Sequence, residues 1–289
     1  MNIHPFAVVH PSAKLGPNVT IGPFCVVERG VTIGANCILE SRAVVKENVV
    51  MADNNHLYEG AVIGGSAQHV RAPARAGGVV IGSGNSFREC VTIHRALEEG
   101  RNTVVGNGNL LMVNTHLAHD VKVGDNAIFA NNAMMGGHVI VEDRAFVSAA
   151  AACHQFIRIG RMAMVGGQAH LVKDVPPFVT VDGASSYVVG LNTIGLRRSG
   201  ISAAEITEMK AAYRVIYRSG LKWNDILDRL SRDFRESAAG HFYEFLRTTH
   251  RGITQERRVP PGATLKLRRL TEVEPGDANE APIRRAKAG

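Results

Sequence analysis

The stretch Val105-Gly106-Asn107-Gly108-Asn109-Leu110-Leu111-Met112-Val113-Asn114-Thr115-His116-Leu117-Ala118-His119-Asp120-Val121-Lys122-Val123 carries an apolar residue at every sixth position. Val105, Leu111, Leu117 and Val123 open a run that continues through Phe129, Met135, Val141, Val147, Cys153, Ile159 and Val165 to Leu171. Upstream, the same step gives Val9, Leu15, Ile21, Val27, Ile33, Leu39, Val45, Met51, Leu57 and Ile63, then Ile81, Phe87 and Ile93. Six is no helical period. The residue two places before each slot is usually small or apolar as well, as in Val19, Cys25, Val31 and Ala43. Each unit therefore offers two inward side chains on a short strand, then a polar corner rich in Gly and Asn. Units this short cannot bury their own apolar face, so they stack into a parallel β-helix.

The step breaks at 64-78 and 97-102, and these excursions must leave the prism as loops, a place where rigid solenoids commonly carry ligand contacts. After Asp174-Val175-Pro176-Pro177 the rule is lost, because a double proline ends regular pairing. Ser202-Ala203-Ala204-Glu205 is a capping box, followed by Ile206, Met209, Tyr213, Ile216 and Tyr217 at helical spacing. The expected layout is a β-helix over 1-190, an α-helical domain over 191-250, and a basic, partly disordered tail over 251-289.

A chain of 289 residues with 45% hydrophobic content can bury a large core. No apolar run reaches membrane-spanning length, so no stable membrane insertion is expected. The start, Met1-Asn2-Ile3-His4-Pro5, lacks the basic and apolar segments of a secretory signal, and a cytoplasmic location is expected. Cys25, Cys37 and Cys153 fall on inward slots, which reads as reduced core thiols rather than disulfides; for Cys153 it also argues against a nucleophile beside His154. The formal charge of +7 suits an acidic partner. No aromatic platform or groove-reading motif accompanies it, so nucleic acid is not expected.

His116 and His119 avoid the inward slots and can face outward, and Asp120 adjoins the second. An imidazole next to a carboxylate is a candidate general base, because the carboxylate fixes its tautomer and stabilises the cation. His138 follows His119 by nineteen residues and His154 follows His138 by sixteen. With three units to a turn, each step is close to one coil of eighteen and the histidines form a rough column. Such a column suits proton transfer, metal binding or anion binding alike.

The words Arg88-Glu89-Cys90-Val91-Thr92-Ile93-His94-Arg95, Asn109-Leu110-Leu111-Met112, His116-Leu117-Ala118-His119-Asp120, Ala130-Asn131-Asn132-Ala133, Gly137-His138-Val139, His154-Gln155-Phe156 and Asp174-Val175-Pro176-Pro177 decide among these. In order and spacing they resemble the UDP-N-acetylglucosamine O-acyltransferases that begin lipid A synthesis, over about Val9 to Arg247. The resemblance implies a left-handed β-helix with a C-terminal helical bundle, assembled as a homotrimer with active sites between prisms. It implies His119 as general base toward the sugar 3-hydroxyl, Asp120 as its orienting partner and the Gly137 N–H as oxyanion donor. Gln68, His69, Arg71, His116, His138, His154, Gln155, Asn192 and Arg198 match substrate-binding positions. Gly167 matches a position where a small residue leaves room for a long acyl chain. Acyl carrier protein is the implied donor and a UDP-sugar the acceptor, with no cofactor and no metal. Arg214, Arg218, Lys222, Arg229, Arg232 and Arg235 offer a basic surface for the acidic carrier.

Four positions depart from the family pattern. His69 stands where the family places an Asp, Ser185 where it places a His, Ile194 where it places a Glu, and Ser199 where it places the second of two consecutive Arg. These substitutions point toward the nucleotide side, so an amino-substituted or otherwise different nucleotide-sugar acceptor is the leading alternative. A zinc hydratase resembling the γ-class carbonic anhydrases, with His116, His119 and His138 as ligands, and a non-catalytic binding scaffold are the remaining readings.

Overall fold

The computed structural model describes residues 1–73 and 75–257. Each hexapeptide contributes a short strand, and consecutive strands fall in turn on three parallel sheets of 11, 9 and 8 strands. Leu111 sits beside Phe129 and Phe129 beside Val147, so the register advances eighteen residues per coil. Three units close one turn of a triangular prism. The inward slots supply a continuous core in which Leu39, Leu57, Phe87, Leu111, Leu117 and Phe129 are fully buried. Burial of each such side chain stabilises the stack by about 1.5–3 kcal/mol.

Every sixth residue turns a corner in the left-handed backbone region, as Asn36, Asn114, Asn126 and Asn132 do with φ of 56°, 59°, 56° and 61°. Asparagine tolerates that region better than most residues. The eighteen-residue register stacks these corners into three columns: Asp120, His138 and Phe156 on one, Asn126, Arg144 and Met162 on a second, Asn114, Asn132 and Ala150 on the third.

Three of the polar inward slots carry asparagine. Asn55, Asn85 and Asn109 are buried one above another, and Asn85 Nδ2 donates to Asn55 Oδ1 at 2.9 Å as Asn109 Nδ2 does to Asn85 Oδ1 at 3.0 Å. Their side-chain oxygens also accept the N–H of Asn85, Asn109 and Ala127, so the ladder satisfies backbone groups inside the core.

The first excursion leaves the strand Val62–Gly65 and returns at Gly78–Ile81, and the second lies between Thr92–His94 and Asn102–Val105. The last prism strand, Val179–Val181, pairs antiparallel with Val188–Leu191, which turns the chain toward the helices. Helix α1 (Thr193–Arg198) precedes α2 (Ala203–Arg218), whose capping box forms as the sequence predicts: Ser202 Oγ accepts the Glu205 N–H, and the Glu205 carboxylate accepts the Ser202 N–H. Helices α3 (Trp223–Phe234) and α4 (Gly240–Leu246) follow, and Arg158 ties the prism to them through the Phe245 ring at 4.2 Å and Thr248 Oγ1 at 2.6 Å.

The expected tail begins within the fold. Residues 251–257 are attached to the fold, since Ile253 is buried and bridges Asp174 while Glu256 bridges Val188. The rest of that tail, 258–289, lies outside the described residues. Among the described residues no helix is long and apolar enough to cross a membrane. All four cysteines are free, and burial pushes the Cys153 thiol up to about 12, which keeps it inert.

Candidate active site

His119 and Asp120 stand at one corner of the prism, with Leu117 and Val121 filling the inward slots on either side. The imidazole is only 6% exposed, yet it is not in the core. It is covered from outside by the first excursion, whose His69 ring meets it edge-on at 5.6 Å, and by His138 of the next coil at 5.1 Å. His119 Nδ1 lies 2.9 Å from Asp120 Oδ2. A carboxylate there can only accept, so Nδ1 carries the proton and Nε2 presents the lone pair.

Asp120 is itself held from two directions. The Leu97 N–H of the second excursion donates to Oδ2 at 3.1 Å, and the Asp120 N–H donates to the Thr103 hydroxyl at 2.9 Å. These contacts suit a residue at φ 60°, a conformation that costs a non-glycine about 1–3 kcal/mol. Gly137 sits one coil beyond His119. A Cβ there would come within 2.6 Å of His119 Cε1 and 2.7 Å of Nε2, so only glycine fits beneath the ring. Among the described residues the Gly137 N–H has no backbone acceptor, which leaves it available to an oxyanion.

The register corrects the expected histidine column. The Asp120 corner continues as His138 and then Phe156, whose ring stacks on the His138 imidazole at 4.5 Å and 7°. His154 falls two residues short of the eighteen-residue step; it is exposed, and its Nδ1–H donates to the Gln155 carbonyl at 3.1 Å. His116 belongs to the neighbouring sheet face, paired with Thr92 Oγ1 at 2.9 Å and with the His94 ring at 5.0 Å. Burial first, and the His94 charge second, hold the His116 imidazole below its ordinary range. His138 is likewise lowered, mainly by burial and against the pull of Asp120.

Gln68, His69 and Arg71 lie on the exposed first excursion, and of these His69 reaches the base. Asn192 and Arg198 line a different cleft of about 760 Å³, on the Asn126, Arg144 and Met162 corner, together with Ile194 and Ser199. Ser185 is not part of it; its hydroxyl bonds Asp182 at 2.7 Å, which separates it from the other departures. Asn192 also has a structural task. Its Oδ1 accepts the Gly195 N–H that starts α1, and its Nδ2 donates to the Met162 carbonyl, both at 3.0 Å. Gly167 is under no comparable constraint, since a Cβ there would meet only Ala149 O at 3.4 Å and Ser148 Cβ at 4.0 Å. The basic helical surface is partly neutralised: Arg218 pairs with Glu256 at 2.7 Å, and Arg229 and Arg232 share Asp233.

Sequence reasoning gave no role to Phe156, Thr103, His94 or the Leu97 N–H. The eighteen-residue register would have placed Phe156 on the Asp120 corner, and the slot rule turns Thr103 inward; no periodic signal marks the other two.

A hexapeptide prism with a His-Asp pair locked over a glycine at one corner defines a hexapeptide-repeat acyltransferase. Residues 102–137 match the bacterial transferase hexapeptide model and residues 174–254 the model of UDP-N-acetylglucosamine O-acyltransferase domain 2. The acyl-[acyl-carrier-protein]–UDP-N-acetylglucosamine O-acyltransferase of Halorhodospira halophila is 41% identical over 253 residues, 87% of this chain and 98% of the relative. That of Gloeothece citriformis is 45% identical over 192 residues, 66% and 70% of the two chains. The crystal structure of the UDP-N-acetylglucosamine acyltransferase of Bacteroides fragilis superposes with a TM-score of 0.83 at 37% identity, covering 87% of this chain and 99% of that one. The chain belongs to the acyl-[acyl-carrier-protein]–UDP-N-acetylglucosamine O-acyltransferase family, and its prism is the left-handed β-helix of that family.

Proposed function

We propose that the protein transfers a 3-hydroxyacyl or related acyl chain from acyl carrier protein to the 3-hydroxyl of UDP-N-acetylglucosamine, the first step of lipid A biosynthesis. The observation that carries this is the His119–Asp120 pair over Gly137. His119 Nε2 takes the proton of the acceptor hydroxyl while Asp120 stabilises the imidazolium. The alkoxide oxygen attacks the thioester carbonyl, and the Gly137 N–H receives the charge on the tetrahedral oxygen. As the C–S bond breaks, His119 returns the proton to the departing thiolate, which leaves an ester and the free carrier thiol.

In one chain the base and the Asn192–Arg198 cleft belong to different corner columns. A nucleotide sugar touching both is best accommodated between prisms, which supports a homotrimer. His116, His138, His154 and Gln155 then line the donor and acceptor clefts, with Arg198 directed to the diphosphate. We propose a cytoplasmic location, in keeping with an acyl carrier protein donor and a nucleotide-sugar acceptor.

Incubation with carrier protein bearing 3-hydroxyacyl chains of several lengths and with several UDP-sugars, followed by product masses, tests the reading. Ester formation on UDP-N-acetylglucosamine is expected, and no transfer to any UDP-sugar refutes it. A second reading, an amino-substituted acceptor, is favoured by His69 beside the base, because an imidazole replaces an anion next to the reacting group. Turnover of only the 3-amino analogue, with an amide product, identifies that case.

A further inference from the structure

The Asp120 corner brings together three side chains that can each ligate a metal ion. His119, Asp120 and His138 each offer one ligand atom within 4.8 Å of the other two, and His119 and Asp120 are both buried. Two ligands bound to one zinc ion at about 2.0–2.2 Å stand roughly 3.4 Å apart in tetrahedral geometry. The separations here bracket that value: 2.9 Å from His119 Nδ1 to Asp120 Oδ2 and 3.8 Å from Asp120 Oδ2 to His138 Nε2. The sites of these atoms are fixed independently of any ion, by Leu97 and Thr103 around Asp120, by Gly137 under His119 and by Phe156 against His138. Two imidazoles and one carboxylate form a borderline-soft set that favours zinc over magnesium.

We propose that this corner is a binding site for a zinc-class divalent cation, held by His119, Asp120 and His138, and that the bound ion reversibly blocks acyl transfer. The ion takes the place of the proton between His119 Nδ1 and Asp120, and the base can then no longer cycle a proton. Coordination bonds form as the displaced Nδ1 proton is released to solvent, and no redox step is involved. The site itself rests on geometry alone; only the inhibitory consequence rests on the catalytic reading.

Equilibrium dialysis and calorimetry of the full chain with zinc chloride, in the absence of substrate, test the site. One ion per chain is expected for the unmodified protein, with magnesium chloride giving no saturable binding. His138→Asn should raise the zinc dissociation constant about tenfold or more, with the thermal midpoint showing the variant folded. Cys90→Ser, which removes the exposed thiol, should leave the constant within twofold. No saturable zinc binding, or binding that survives His138→Asn and disappears in Cys90→Ser, overturns the proposal. Zinc bound at the corner without loss of acyl transfer overturns its inhibitory half. A protein that binds zinc as stated yet transfers no acyl group to any UDP-sugar refutes the proposed function and leaves the site standing.

Discussion

The ring of His119 lies against the bare Cα of Gly137, close enough that a methyl group would fall 2.6 Å from Cε1 and 2.7 Å from Nε2. The two residues are one coil apart, so the register of the prism sets the position of the base. Gly137→Ala must therefore move the imidazole away from Asp120 or from the acceptor. We expect kcat to fall about a hundredfold or more, near 3 kcal/mol of barrier, with the thermal midpoint changed by only a few degrees. Steady-state rates and melting curves measured on one preparation separate displacement of the base from unfolding.

Thr103 holds Asp120 without touching any reacting atom. Its hydroxyl accepts the Asp120 N–H at 2.9 Å in a fully buried setting. Thr103→Val preserves shape and strands that donor, at a cost of about 1–3 kcal/mol in stability. If Thr103 positions the dyad, kcat also drops while KM holds, and Thr103→Ser restores both. A purely structural role would lower stability and leave kcat intact.

The fold was legible because two side chains in every six answer to the core, and Leu111 or Phe129 announces its slot without knowledge of its neighbours. The rule stumbled at Asn55, Asn85 and Asn109, where an inward polar group is satisfied by the coils above and below. The site was legible in part. His138 was found because nineteen residues nearly match the true step of eighteen, whereas His154 was placed on the column by a sixteen-residue step that falls short of it. Asn192 matched a ligand position, yet its amide is engaged in capping α1. The path of the first excursion over His119 has no periodicity to betray it, and the Leu97 N–H is backbone, which no residue type reveals.

Burial and the His94 charge hold the His116 imidazole below its ordinary value of 6.5. The unfolded chain thus binds a proton at higher pH than the folded one. The stability contributed by neutral His116 is fully present above pH 6.5 and is lost as pH falls through its depressed folded value. Urea midpoints should hold steady from pH 8 to 7 and decline toward pH 5. In His116→Gln that decline should be shallower, and an unchanged slope would mean that His116 titrates alike in both states.

Gly167 is required neither by backbone conformation nor by close packing, so its small size serves the space outside the prism. In the acyl-transfer reading that space holds the far end of the acyl chain. Gly167→Met should fold normally and shift preference toward shorter donors, by about 1–3 kcal/mol for each methylene excluded. Competition between donors of mixed length, read by product mass, measures the shift. An unaltered product profile would assign the chain terminus elsewhere.

Asn85 occupies the middle of the buried ladder, where its Nδ2 donates to Asn55 Oδ1 and to the Gly106 carbonyl, both at 2.9 Å, and its Oδ1 accepts the Asn109 N–H at 2.8 Å. Asn85→Leu fills a similar volume but leaves the Asn109 N–H without its acceptor. A loss of about 2–5 kcal/mol follows, from the stranded Asn109 backbone N–H, the stranded Asn109 Nδ2–H and one weakened carbonyl, seen as a lower urea midpoint at unchanged slope. Replacing Asn55, Asn85 and Asn109 together by Leu distinguishes two accounts of the ladder. Were the three amides serving only one another, the triple variant would recover much of the loss, because all the partners leave together. The Oδ1 atoms also accept the N–H groups of Asn85, Asn109 and Ala127, which remain in the triple variant. The triple variant should therefore be less stable than any of the single ones.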